Sequence, residues 1–353
     1  MRDFEHDAPA ARIVLAPGSI DRVPSECARL GLRNVLVIAG GAAGAAGDRV
    51  ADLLGRACAG RVRRVAQHVP EALAADAVAR AKAAGADGLC CIGGGSATGL
   101  AKAVAVELDL AIVAVPTTYA GSEATAVYGI TGERKRTASD ERARPSTIIY
   151  DAALSTGLPA RTSAASGCNA LAHAVAALSG RTYDPLAMMY AAEAVRLISR
   201  ALPTAVDHPR DLAARGDLLW ASWLAGSALS ATGTGLHHRL CHVLGGSYRL
   251  VHADVHAALL PHTVARDPDL DLTSLAAALG LSGADSGRVA ATLAEFARSV
   301  GAQTGLAALG LPADRLDEAA HEAAKTVGGH DPSWFRDLLD QAYHPVAPRG
   351  GER

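Results

Sequence analysis

The sequence predicts an α/β N-terminal domain built on a mostly parallel sheet, followed by an all-α C-terminal domain. Three observations carry this prediction. Between residues 12 and 150, short apolar runs alternate with helical patterns, as strands joined by crossover helices do. From about Ala152 onward strand signals stop and long Ala/Leu-rich helical stretches take over. The chain has 353 residues, enough for two domains at roughly 150 residues each. The boundary falls at 153/154, giving domains 1–153 and 154–353, with no internal repeat or low-complexity linker between them.

In chain order, residues 12–15 read as a strand and Pro17-Gly18 as a turn. Residues 19–32 set Ile20, Val23, Cys27 and Leu30 on one face, which predicts a helix. Residues 34–39 (NVLVIA) predict a buried strand, 40–47 a glycine-alanine loop and 48–56 a helix. A strand is expected at 62–69 and a helix at 71–84. The run 88–92 (GLCCI) is a strand leading into Gly93-Gly94-Gly95-Ser96, and a helix follows to about Val106. Residues 111–115 form a further strand ending at Pro116-Thr117-Thr118, and 147–150 the last one. The arrangement is Rossmann-like, with helices on both sheet faces. The tail 346–353 is expected to fray.

Bulk properties exclude several function classes. Residues 1–10 carry Asp3, Glu5 and Asp7 without an apolar signal core. No apolar run approaches the ~20 residues that span a bilayer. No membrane association is expected, and the cytoplasm is the expected location. A formal net charge of −2 offers no basic field for nucleic acid. The six Cys form no CxxC pair and read as free buried thiols. A small-molecule substrate remains as the partner.

Strand, glycine run, helix is an arrangement that cradles phosphate. Glycines let the backbone approach an anion, and the helix N-terminus presents unpaired N–H groups with partial positive charge. Ser96 is expected to cap that helix. The pattern is not GxGxxG, and a tight turn is the alternative reading. Residues 116–123 (PTTYAGSE) end the next strand. Ligands bind at the carboxyl ends of strands in such sheets, so the two loops are expected to meet.

Thirteen His are present, and His237, His238, His242, His252, His256 and His262 fall within 26 residues. His238 and His242 share a helical face, and Asn169 and His173 repeat the i, i+4 spacing. Gly245-Gly246 is expected to break the chain and swing His252 back, so that Asn169, His173, His238 and His252 converge. Packing or capping roles, metal ligation, and acid/base work all remain open for this set.

Five segments, 93–102 (GGGSATGLAK), 116–123 (PTTYAGSE), 166–175 (SGCNALAHAV), 237–246 (HHRLCHVLGG) and 252–262 (HADVHAALLPH), resemble in order and spacing the iron-containing alcohol dehydrogenase family. Tyr119-Ala120-Gly121-Ser122, the His-His-x-Leu-Cys-His pattern and Asn169 are most similar to its maleylacetate reductase branch. The resemblance implies the dehydroquinate synthase-like architecture of that family, with the active site in a cleft between two domains, and a homodimer. It implies reduction of maleylacetate to 3-oxoadipate with NADH or NADPH. Gly94, Gly95 and Ser96 would hold the pyrophosphate, and Thr117, Thr118 and Ser122 would line the cofactor cleft. His238, His242, His252, His173 and Tyr119 form the expected catalytic set, and Asn169, Arg239 and His256 the expected substrate contacts.

In the metal-dependent relatives, His173, His238 and His252 would be ligand positions, and Asn169 stands where an Asp ligand is usual. Asn offers no negative charge, so the expectation is that no metal is required and these four positions are vestigial. Gly99, Ala176, Arg136 (beside Lys135) and Asp254 also depart from the family pattern, which bears on the substrate. The alternatives are a metal-dependent alcohol or aldehyde dehydrogenase, and the same fold recruited to a non-redox biosynthetic step.

Overall fold

The computed structural model describes residues 4–6, 11–133, 135–179 and 182–344. The expectations for residues 1–3, 7–10 and 346–353 lie outside the described residues. The chain forms two compact units. One runs to Leu158 and takes in His208–Ser230. The other comprises Pro159–Asp207, the chain from Ala231 and the N-terminal His6, whose Nδ1 lies 2.6 Å from Asp184 Oδ2.

The first unit contains β1 (Arg12–Leu15), α1 (Val23–Arg29), β2 (Val35–Ala39), α2 (Gly44–Leu54), β3 (Cys58–Val62), α3 (Glu71–Ala83), β4 (Gly88–Gly93), α4 (Gly95–Leu108), β5 (Ala111–Pro116), β6 (Val127–Thr131), β7 (Lys135–Ser139) and β8 (Thr147–Tyr150). Six strands pair in the order β1-β8-β5-β4-β2-β3, all parallel. Every residue of β2 and β4 is buried, as expected of strands covered on both faces. Alternation sends Leu36, Ile38, Leu89, Cys91 and Ile112 toward Leu73 and Ala77 of α3 and Leu100 and Val104 of α4. Val35, Val37, Cys90, Ile92 and Val113 face the other way, onto Val23 of α1 and Val50 of α2. In this register Gly93 pairs with Pro116, so the loops after β4 and β5 leave the sheet side by side.

Several expectations need correction. The helix expected over 19–32 is a 3-10 turn, Ser19–Arg22, followed by a short α1 with Pro24 in its first turn. Much of the loop expected at 40–47 is helical, because α2 already starts at Gly44. The strand expected at 62–69 lies instead at Cys58–Val62, and at the far end of the expected range His68 (φ 64) and Val69 (φ 44) take left-handed backbone that no strand admits. The antiparallel hairpin β6–β7 was not expected. Its second strand, KRTAS, is polar, and Val127 on the first is exposed, so neither shows the apolar alternation that marks a half-buried strand.

The helices beyond residue 158 are α5 (Ala160–Ala177), α6 (Pro185–Asp207), α7 (Leu212–Thr232), α8 (Leu236–Ser247), α9 (His252–Val264), α10 (Leu272–Ala278), α11 (Ser286–Ser299), α12 (Leu316–Val327) and α13 (Pro332–Tyr343). Among the described residues the paired strands all lie before Asp151, in line with the all-α expectation. The single cut at 153/154 differs from the compact grouping, which assigns most of α7 to the α/β unit. In the helical unit, α5 and α8 both pack on α9. Leu240, Leu244, Val255 and Leu259 form a core with Phe335, Leu338 and Leu339 of α13. Helix α8 runs through Gly245-Gly246 to Ser247, and the reversal falls at Arg249 (φ 55) instead. No helix is long and apolar enough to cross a membrane among the described residues.

Candidate active site

The loop after β4 has the features of an anion cradle. Gly94 is the N-cap of α4 and no side chain caps the helix, so its first N–H groups stay open to a ligand. The expected capping role of Ser96 is corrected: it lies within the first turn of α4, behind Gly94 and Gly95. Thr117 N donates to Gly93 O at 3.0 Å. A Cβ on Gly94 would come within 2.9 Å of Thr118 Cγ2, so glycine is what lets the two loops touch. Thr117 and Thr118 are half-buried. Ser122 Oγ is buried without a hydrogen-bond partner, which leaves it available to a ligand. Below it, Glu123 accepts from Tyr150 Oη at 2.8 Å, and burial pushes its carboxyl upward.

The helical unit gathers six imidazoles. His173 comes from α5, His237, His238 and His242 from α8, and His252 and His256 from α9. Ring centroids lie 5.0 Å apart for His173–His238, 4.7 Å for His238–His256, 4.5 Å for His252–His256 and 5.3 Å for His242–His252. A hydrogen-bonded chain runs through them. Thr263 Oγ1 donates to the Leu259 or Leu260 carbonyl and therefore accepts from His237 Nδ1 at 2.9 Å. His237 Nε2 then accepts from His256 Nδ1 at 2.9 Å, and His256 Nε2 from His252 Nε2 at 3.1 Å. One threonine thus sets three tautomers. His238 stands apart from this chain, with both ring nitrogens buried and unpartnered. His173 Nδ1 is also unpartnered.

Burial disfavours the charged form of four of these rings. It lowers His173 to about 4, with a further push from His242. It lowers His237 to about 3, helped by His173, and drives His238 and His256 well below the usual range. No carboxylate acts on any of these four rings among the groups that shift them.

Whether these residues fit a metal can be judged from their donors. Ring nitrogens of His173, His238 and His256 lie within 4.8 Å of one another, as do the donors of His237, Cys241 and His256. His256 already uses both nitrogens in the chain. Burial raises the Cys241 thiol well above its usual range, so it supplies no thiolate. Asn169 supplies no charge. A buried dication would have no anionic partner in either group, and the residues do not fit the iron that the family resemblance suggests.

The structure therefore brings together His173, His238, His242 and His252, with Asn169 one turn before His173 on α5 and Arg239 half-buried beside His238. Two expected roles are corrected. His256 is fully buried with both nitrogens occupied, which removes it from substrate contact. Tyr119 is fully buried and its hydroxyl accepts from Arg215 Nη1 at 2.6 Å, so it ties its loop to α7 and is not presented to a ligand. His237 and Thr263 were missed as partners. The i, i+7 spacing of His256 and Thr263 on one helical face was the available signal.

The departures separate by location. A Cβ on Gly99 would meet Val69 Cγ2 at 3.0 Å, so the left-handed Val69 fills the space of a larger side chain. Arg136 pairs with Glu71 at 2.7 Å on the surface. Ala176 and Asp254 are buried in the helical unit.

A sequence profile described as iron-containing alcohol dehydrogenase matches residues 10–152, and one described as the C-terminal part of that family matches 163–336. A maleylacetate reductase of Burkholderia cepacia is 40% identical over 99% of this chain and 100% of its own length. The crystal structure of maleylacetate reductase from Agrobacterium tumefaciens superposes with a TM-score of 0.91 at 42% identity, covering 97% of this chain and 99% of that one. That of Rhizobium sp. strain MTP-10005 gives 0.90 at 40% identity, with 97% and 99% covered.

Proposed function

The chain belongs to the iron-containing alcohol dehydrogenase family, and on that premise we propose that it is a maleylacetate reductase, an oxidoreductase that reduces maleylacetate or a closely related enone acid with NADH or NADPH. The observation that carries this reading is His238: a neutral imidazole with two unpartnered buried nitrogens, set among further histidines with no anionic metal ligand.

The nicotinamide cofactor supplies hydride for the β-carbon of the enone when bound. Gly94, Gly95 and Ser96 would hold its pyrophosphate, and Thr117, Thr118 and Ser122 would line the rest. As hydride arrives at the β-carbon, negative charge builds on the substrate's carbonyl oxygen. His238 donates an N–H to that oxygen, and a preorganised donor in a dry site is worth more than one in water. His173 offers a second ring nitrogen, and the chain from Thr263 fixes His252 beside them. His242 is exposed and can return a proton from solvent to the enolate carbon. Arg239 and Asn169 bind the carboxylates.

β2 ends at Ala39 and is followed by Gly40-Gly41. No acidic residue stands there to reject a 2′-phosphate, so both NADH and NADPH are proposed. A metal-independent homodimer in the cytoplasm completes the reading. The test is oxidation of each reduced cofactor with maleylacetate beside simple aldehydes. Maleylacetate-dependent turnover is expected, and His238→Ala should lower kcat by ~10²–10³-fold without changing cofactor affinity. Turnover with simple aldehydes alone would defeat the reading. In the same assay Tyr119→Phe should keep kcat within about twofold while urea unfolding shows a loss of ~1–3 kcal/mol, since Arg215 loses a buried partner. A large fall in kcat with stability intact would return Tyr119 to the catalytic set.

A further inference from the structure

Lys102 lies on α4, the helix that the glycine loop opens. It is 1% exposed, which is rare for a lysine. Its Nζ donates to Ser122 O at 2.6 Å, Thr125 O at 2.7 Å and Val127 O at 2.8 Å, with Thr125 Oγ1 at 3.1 Å. Thr125 Oγ1 in turn donates to Ser122 O at 3.1 Å and accepts from Val127 N at 3.3 Å. The backbone from Ser122 to Val127 therefore wraps around one ammonium. Three carbonyl oxygens pointing at one place repel each other unless a donor with several N–H groups sits between them, and an ammonium supplies three. Burial pulls the Lys102 ammonium down to about 7, and buried Glu123 nearby acts the other way, favouring its charge; Glu123 is itself anchored to Tyr150.

The segment held in this way begins with Ser122, whose carbonyl is gripped by Lys102 and whose buried hydroxyl has no partner. We infer that Lys102 is a positioning residue for cofactor binding: by holding the backbone of Ser122–Val127 it fixes the Ser122 hydroxyl for a nicotinamide nucleotide. The inference rests on the proposed use of that cofactor. Lys102 acts through Ser122 and does not touch the nucleotide.

The experiment measures the dissociation constant for NADPH and NADH by fluorescence in wild type, Lys102→Met, Ser122→Ala and the double variant, with circular dichroism to confirm folding. Methionine keeps the length of the side chain and removes the donors. Lys102→Met should weaken cofactor binding at least about tenfold, by analogy with the loss when a residue that orients a metal ligand is removed. Its kcat at saturating cofactor should stay within about threefold, and its effect should shrink in the Ser122→Ala background, because both changes remove the same contact. A purely structural lysine would lower stability and give additive effects. Should Lys102→Met fail to fold, Thr125→Val removes one oxygen of the cage and should weaken binding by about two- to threefold, again non-additively with Ser122→Ala. Unchanged affinity in a folded variant, or full additivity, overturns the inference. A wild type that binds neither cofactor overturns the proposed function as well, so the two failures are told apart.

Discussion

Asn169→Asp is expected to turn the proposed metal-independent reductase into a metalloprotein. Asn169 lies one helical turn before His173 on α5, and His173 faces His238 across a 5.0 Å ring separation. The cluster already holds neutral imidazoles with unpartnered nitrogens, and what it lacks is negative charge. A carboxylate at 169 supplies it and completes the His-plus-carboxylate donor set that suits zinc or ferrous iron. After dialysis against chelator, the wild type should contain less than about 0.1 metal per chain and keep its turnover. Asn169→Asp, exposed to zinc or ferrous ion and then desalted, should retain about one equivalent. It should also lose at least about tenfold in reductase activity, because a cation on His173 and His238 takes the nitrogens that bind the substrate oxygen. Metal analysis and turnover on the same samples decide it. Stoichiometric metal in the wild type, with activity lost on its removal and regained on its return, would reverse the proposal.

The expectation behind that experiment was readable from one residue, because a ligand's charge is a property of its type. Other parts of the site were legible for similar reasons. The strand–glycine–helix run at 88–108 is local, and so is the i, i+4 pairing that put Asn169 with His173 and His238 with His242 on shared faces. What escaped the sequence depends on packing between elements. The rotation of α9 against α8 brings both His256 and Thr263 onto His237; the i, i+7 spacing shows that they share a face, but not that this face meets α8. Tyr119 resembled a catalytic group because its loop carries cofactor residues, yet Arg215, 96 residues later, claims its hydroxyl. Gly245-Gly246 reads in the sequence as the break that turns the chain back toward His252. The buried Leu244 and Leu250 on either side of the reversal show that tertiary packing decided where it falls. Lys102 closes the 93–102 segment, but nothing local tells a buried lysine from a solvated one.

Acid should unfold this protein well before carboxylate titration alone would. An ordinary histidine takes up a proton near pH 6.5 in the unfolded chain. In the folded protein His173 does so only at about 4 and His237 only at about 3, because burial disfavours the charged ring and its neighbours are other imidazoles. Between these values the unfolded state binds more protons than the native one, so stability rises with pH through the window and is lost as pH falls. The contribution is fully present above about pH 6.5. Each tenfold difference in proton affinity is worth about 1.4 kcal/mol, so by pH 4 these two groups together remove on the order of 6 kcal/mol. His238 and His256, shifted further the same way, add to the loss. A domain typically has only about 5–15 kcal/mol in hand. Urea unfolding of the helical signal at pH 7, 6, 5 and 4 should therefore show a steep fall in midpoint. Potentiometry should record net proton uptake of two or more per chain on unfolding near pH 5, of the order that linkage requires. A midpoint that holds steady from pH 7 to 4.5, or unfolding without proton uptake, would mean that the cluster is already charged or solvated in the folded protein. His238 would then no longer be the neutral donor on which the catalytic reading depends.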